Sequence, residues 1–169
     1  MNKVVLFFLF VIVLSPVEGM AEDIEGFRGI RWGTNINSLA GFIYQGDSSK
    51  SDDTRSYKKT DDQLSIGAAN IDSITYLFWR DRLSVVLISY TGLSNFSALK
   101  AALDEKYGSS VRLNRFLNEY LWDRASGAAM IKINDVSKDG SIYMFSHELQ
   151  KERMAAEKLK AKEGAKKDL

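Results

Sequence analysis

The sequence predicts an α+β domain built on a mainly antiparallel sheet, and three observations carry that prediction. Residues 74–90 hold two apolar, β-rich runs interrupted only by Arg80-Asp81-Arg82, about the length of a tight hairpin loop. Phe96, Leu99, Leu103 and Tyr107 then recur at helical spacing ahead of Gly108, a residue suited to a helix C-terminus. Beyond that helix, residues 116–122, 128–134 and 141–146 read again as strands, the last two joined through Lys138-Asp139-Gly140.

The chain of 169 residues opens on a secretory signal. Lys3 precedes an unbroken apolar run over residues 4–14, and Gly19-Met20-Ala21 offers the small residues a signal peptidase reads, so cleavage is expected after Ala21. The run of 11 residues is short of the roughly 20 that a spanning helix needs, so no stable membrane insertion is expected after cleavage. Residues 22–147 form a single α+β domain, and residues 148–169 a charged C-terminal helix or tail. With no cysteine, the exported chain has neither disulfides nor thiolate chemistry, which points to a bacterial periplasm. Residues 22–150 carry 15 basic against 17 acidic groups, and residues 151–169 carry seven against four. Neither balance is a nucleic-acid footprint.

In chain order, an acidic leader is followed by Phe27, Ile30 and Trp32 as apolar anchors around Gly29 and Gly33. Thr34 or Asn35 caps a short helix expected over residues 36–44, with Ile36, Leu39, Ala40 and Ile43 on one side. Residues 46–54 are polar and read as a loop; residues 55–59 read as an edge strand and residues 64–69 as another. In the first arm of the central hairpin, Ile74, Tyr76 and Phe78 alternate with Thr75, Leu77 and Trp79, so both faces are largely apolar. Ser94 or Asn95 caps the helix over residues 96–107. From Glu148 onward the chain is rich in helix formers, with only Leu149, Met154, Ala156 and Leu159 as an apolar stripe.

Tyr76-Leu77-Phe78-Trp79-Arg80-Asp81-Arg82 and Tyr120-Leu121-Trp122-Asp123-Arg124 are alike, and each lies downstream of a short helix. The order helix, strand, strand, strand is thus expected twice, over residues 35–90 and 95–147, giving six antiparallel strands with both helices on one face. Gly29-Ile30-Arg31-Trp32-Gly33-Thr34 resembles the Gly-Ile-x-Trp-Gly-Thr opening of small bacterial exported proteins. The tandem layout resembles that of β-lactamase-inhibitor-like domains and the small outer-membrane assembly lipoproteins related to them. The chain lacks the lipobox cysteine of those lipoproteins. The resemblance implies a binding or scaffolding module and supplies no active site.

Catalytic signatures are sparse. His147 is the only histidine, and imidazole sites ordinarily need further ligands at set spacing. Asp52-Asp53 and Asp61-Asp62 lack the alternating oxygens and glycine of a calcium loop. No serine stands in a nucleophile elbow. The expectation is a protein with no catalytic, metal or cofactor-binding residues: a non-enzymatic periplasmic binding or accessory module. Its partner is another envelope protein or a second copy of itself. Trp79, Trp122, Tyr76 and Tyr120 are its candidate contacts and the terminal helix a second surface. Two alternatives stand beside it: a cell-wall or glycan hydrolase working through Asp and Glu, and a carrier of a small apolar ligand.

Overall fold

The apolar runs become strands, and all but four short ones join a single antiparallel sheet; the computed structural model describes residues 21–49 and 53–167. A small hairpin comes first, β1 (Gly26–Phe27) and β2 (Ile30–Arg31), then a single 3-10 turn at Ile36–Ser38. Next come β3 (Phe42–Ser49), β4 (Thr54–Lys59), the short pair β5 (Ser65–Ile66) and β6 (Ala69–Asn70), and the long pair β7 (Ser73–Trp79) and β8 (Arg82–Thr91). Helix α1 (Leu93–Tyr107) leads to β9 (Val111–Arg112), β10 (Asn118–Asp123), β11 (Gly127–Ile133), β12 (Asp139–Ser146) and helix α2 (His147–Lys167).

The large sheet has the order β3-β4-β7-β8-β12-β11-β10-β9. From either edge inward the strands rise in chain order, so the sheet is two four-stranded meanders joined at an antiparallel seam, where Leu87 faces Tyr143 and Ile88 faces Ile142. The repeat is therefore four strands deep, and only its second half opens with a full helix. Moreover, the two similar sequence segments are not counterparts. Tyr76 lies on β7, next to the seam strand β8, whereas Tyr120 lies on β10, whose positional counterpart in the first half is β4.

Side-chain alternation divides the sheet into two unlike faces. On the inner face Ile74, Tyr76, Val86, Ile88, Tyr90, Trp122, Ile131, Ile142 and Met144 form one core with Phe96, Leu99, Leu103 and Tyr107 of α1. The outer face buries a separate group at one end of the sheet, Leu77, Trp79, Val85 and Ala128, together with Leu149 of α2.

Several expectations are corrected. No helix spans residues 36–44: Gly41, at φ +77°, ends the 3-10 turn's path, and Phe42 enters β3 to pack edge-on against Tyr76 and Phe78. The central hairpin loop has two residues, because Arg80 and Asp81 both adopt positive φ, at 49° and 62°, and Arg82 pairs with Trp79. β4 is covered by β3 and is not an edge. Helix α1 starts at Gly92 without a side-chain cap; Asn95 instead accepts from the Asn70 N–H and donates to the Thr91 carbonyl. Residues 46–49, expected in a loop, belong to β3, and residues 50–52 of that loop lie outside the described residues. So does the expected signal, apart from Ala21. On α2, Met154 and Leu159 are exposed, and the residues facing the sheet are Leu149, Glu152, Arg153 and Ala156. Among the described residues no helix is long and apolar enough to cross a membrane.

Candidate binding surfaces

Two surfaces stand out, one on each side of the sheet. Across the outer face runs a continuous transverse row: Thr75 opposite Leu87, Leu87 opposite Tyr143, Tyr143 opposite Met130, Met130 opposite Leu121, and Leu121 opposite Val111. These side chains come from β7, β8, β12, β11, β10 and β9 and share one face because paired positions of a ladder always do. All are partly exposed, Val111 the most at 65%. The Tyr143 ring lies 5.3 Å from that of Phe145, and burial pushes its phenol above the ordinary tyrosine range. A polar row of Ser73, Ser89, Ser141, Lys132 and Glu119 runs beside it on the same face.

Helix α2 covers only the other end of this face. It is moored there by ions: the Arg82 guanidinium donates to Glu152 at 2.5 Å, and Lys160 lies 3.5 Å from Asp53. The hydrogen bond from Arg82 holds the Glu152 carboxyl below its usual range. Beneath the helix the Trp79 ring sits between two guanidinium groups, Arg80 at 4.6 Å and Arg82 at 5.3 Å from its centre.

The inner side holds a cavity of about 390 Å³ between α1, the β1–β2 hairpin and the sheet. Its walls are Phe27, Ile66, Leu99, Leu103, Ile142 and Met144, with Ala102 beside them on α1. Gln63 and Ser65 add polar groups, and among the described residues the only charged ones lining it are Arg28 and Lys106. Arg28 is pinned, donating to Asp62 at 3.0 Å and to the Ser65 carbonyl at 2.8 Å. Lys106 is looser, with Glu22 at 3.7 Å and both side chains largely exposed.

Three of the four expected contact residues are interior. Trp79 is 2% exposed, Trp122 and Tyr76 fully buried, so none can touch a partner in this fold. Trp122 donates its Nε1 proton to the Gly108 carbonyl at 2.8 Å, and the Tyr76 hydroxyl donates to Asp62 at 3.0 Å. Large rings with a satisfied polar tip are favourable core residues, and these occupy the middle of the packing. Tyr120 is partly exposed and lies under Lys100, 4.6 Å from its ring centre. These four do not form one surface: Tyr76, Tyr120 and Trp122 pack on the inner side and Trp79 on the outer. Period-two counting contains that division, since Trp79 lies three residues after Tyr76 while Trp122 lies two after Tyr120.

Asp52 lies outside the described residues; the other acids and the histidine considered for catalysis are already partnered. His147 Nε2 lies 2.7 Å from Asp123 Oδ1, with Phe145 edge-on to the imidazole. The nearby Ser126 hydroxyl donates to Asp23, and that bond, with a second from the Ser126 N–H, holds the Asp23 carboxyl below its usual range. Asp61 takes the Lys59 ammonium at 2.6 Å, Asp62 takes Arg28 and the Tyr76 hydroxyl, and Asp53 lies between Arg80 and Lys160. Comparison with family models, with curated proteins and with solved structures finds no match to this chain.

Proposed function

We propose that this protein is a non-enzymatic binding module of the bacterial envelope, exported to the periplasm, that engages a protein partner through the outer face of its sheet. The observation that carries this reading is the partly exposed, largely apolar row from Thr75 to Val111, flanked by a polar row, on a face that α2 covers only at one end. Apolar centre with polar rim, and Met and Tyr among the central residues, is the anatomy of a protein–protein contact. The reading relocates the contact from Trp79 and Trp122 to Leu87, Tyr143, Met130 and Leu121. Export is supported by the apolar run over residues 4–14 and the small residues of Gly19-Met20-Ala21 after it. The expected cleavage after Ala21 leaves Glu22, whose backbone N–H donates to the Lys106 carbonyl, inside the fold.

The test is photo-crosslinking in the native envelope, with the reactive group at position 130 and, as control, at the exposed position Ala101 on α1. One discrete adduct from position 130 alone, lost when Leu121→Glu is added, supports the reading; an adduct of twice the chain mass would make the partner a second copy. No adduct, or the same adducts from both positions, overturns it.

A further inference from the structure

We infer that the cavity between α1 and the sheet is a second, independent binding site, and that its ligand is an anionic amphiphile with an apolar body of about a dozen carbons. Three features of the cavity specify that chemistry. Its volume of about 390 Å³ lies within the range of small-molecule sites. At roughly 30 Å³ per water-sized group it accommodates about a dozen methylenes. Its walls are aliphatic and aromatic, contributed by α1 (Leu99, Leu103), the seam strand β12 (Ile142, Met144) and the N-terminal hairpin (Phe27), so an apolar chain is the occupant they favour over water. Its charged lining is entirely cationic, and the two cations differ in availability.

Arg28 has its charge engaged by Asp62 and acts chiefly as a fixed wall: its backbone, at φ 49°, makes with Gly29 the turn of the β1–β2 hairpin that roofs the cavity. Lys106 stands one turn beyond Leu103 on α1, and its ion pair with Glu22 is long and exposed, a kind worth little in water. An anionic head group entering behind the chain displaces Glu22 as the ammonium's partner at small cost. The α1 C-terminus does not repel that head strongly, because its last carbonyls are occupied: Lys106 O by the Glu22 N–H, Tyr107 O by the Arg124 guanidinium and Gly108 O by Trp122 Nε1.

The site is tested by calorimetric titration of the full mature chain with laurate and with 1-dodecanol, which share a chain length and differ in the charged head. Saturable binding of one laurate is expected. Lys106→Gln should weaken laurate about fivefold and leave dodecanol within about twofold, the signature of one exposed charge contact. Ala102→Trp fills the cavity from α1 and should weaken both at least tenfold, while Met130→Glu on the outer face changes neither. Nuclear Overhauser contacts from laurate methylenes to the methyl groups of Leu103 and Met144 give a readout in the unaltered protein. Absence of saturable binding overturns the assignment, as do equal affinities for laurate and dodecanol, unchanged binding in a folded Ala102→Trp, or contacts to Leu121 and Met130 instead. Failure here leaves the outer-face reading intact, since none of these readouts involves the envelope partner.

Discussion

The two helices close opposite faces of one sheet by different physics. Helix α1 presents Phe96, Leu99, Leu103 and Tyr107, all buried, and its grip on the inner face is apolar. Helix α2 presents Leu149, Glu152, Arg153 and Ala156, and its grip on the outer face joins Leu149, at the end where Leu77, Trp79, Val85 and Ala128 are buried, to ion pairs that include those to Arg82 and Asp53. The inner cover should therefore respond little to salt and belong to global stability, whereas the outer cover should open locally and respond to pH and ionic strength. A sheet face with so light a cover keeps an apolar row next to a removable helix. The proposed partner contact rests on that difference.

The largest effects should separate the two tryptophans that anchor these faces. Trp122→Ala removes a fully buried ring and leaves the Gly108 carbonyl without its Nε1 donor, so urea unfolding should report a loss of about 3–5 kcal/mol. Trp79→Ala removes a ring of the same size, but α2 can settle into the space, so its cost should fall to about 3 kcal/mol or less. Equal losses would mean that α2 is as rigidly packed as α1 and would break the comparison.

The same contrast explains what was legible in the sequence. Helix α1 and the central hairpin were legible because their apolar spacing is strong and local. The four-strand depth of each half was not, because β9 is a two-residue element whose existence depends on the strand beside it, and β3 falls in residues whose spacing reads as a helix followed by a polar loop. The helix expected over residues 36–44 failed because tertiary packing of Phe42 on Tyr76 and Phe78 outweighs an Ile36, Leu39, Ile43 spacing that leaves Ile43 exposed. The central strands are apolar on both faces, as their alternation predicts. The partly exposed row needed the register, since Leu87, Tyr143, Met130 and Leu121 are scattered over 57 positions and meet only through strand pairing.

A smaller effect probes the mooring of α2 directly. Because Glu152 is held below its ordinary range when folded, the docking it supplies is present above the usual carboxylate value near about 4 and is lost as pH falls through the lower folded value. Hydrogen exchange should therefore show the α2 amides losing protection below about pH 4, and again at about 1 M salt where screening reaches a few ångströms, while α1 amides keep theirs. Glu152→Gln should reproduce much of the loss at neutral pH and shrink the acid step. Parallel loss in α1 and α2 under either condition would show that the two covers form one cooperative unit.

The smallest effect concerns the other side of the sheet, where signal removal would add a second positive charge at the C-terminal end of α1, beside Lys106. The Glu22 backbone nitrogen lies 3.0 Å from the Lys106 carbonyl, in the last turn of α1. Cleavage after Ala21 turns that amide into an ammonium, which still donates to the carbonyl and now sits as a positive charge at the negative end of the helix dipole. A mature chain beginning at Glu22 should thus be more stable than the same chain acetylated at its N-terminus, by about 0.3–1 kcal/mol at low salt, with the difference fading as salt is raised. Thermal unfolding of the two forms measures it. Equal stability would mean that the new terminus leaves Lys106 and moves into solvent, and α1 would then be held by its apolar face alone.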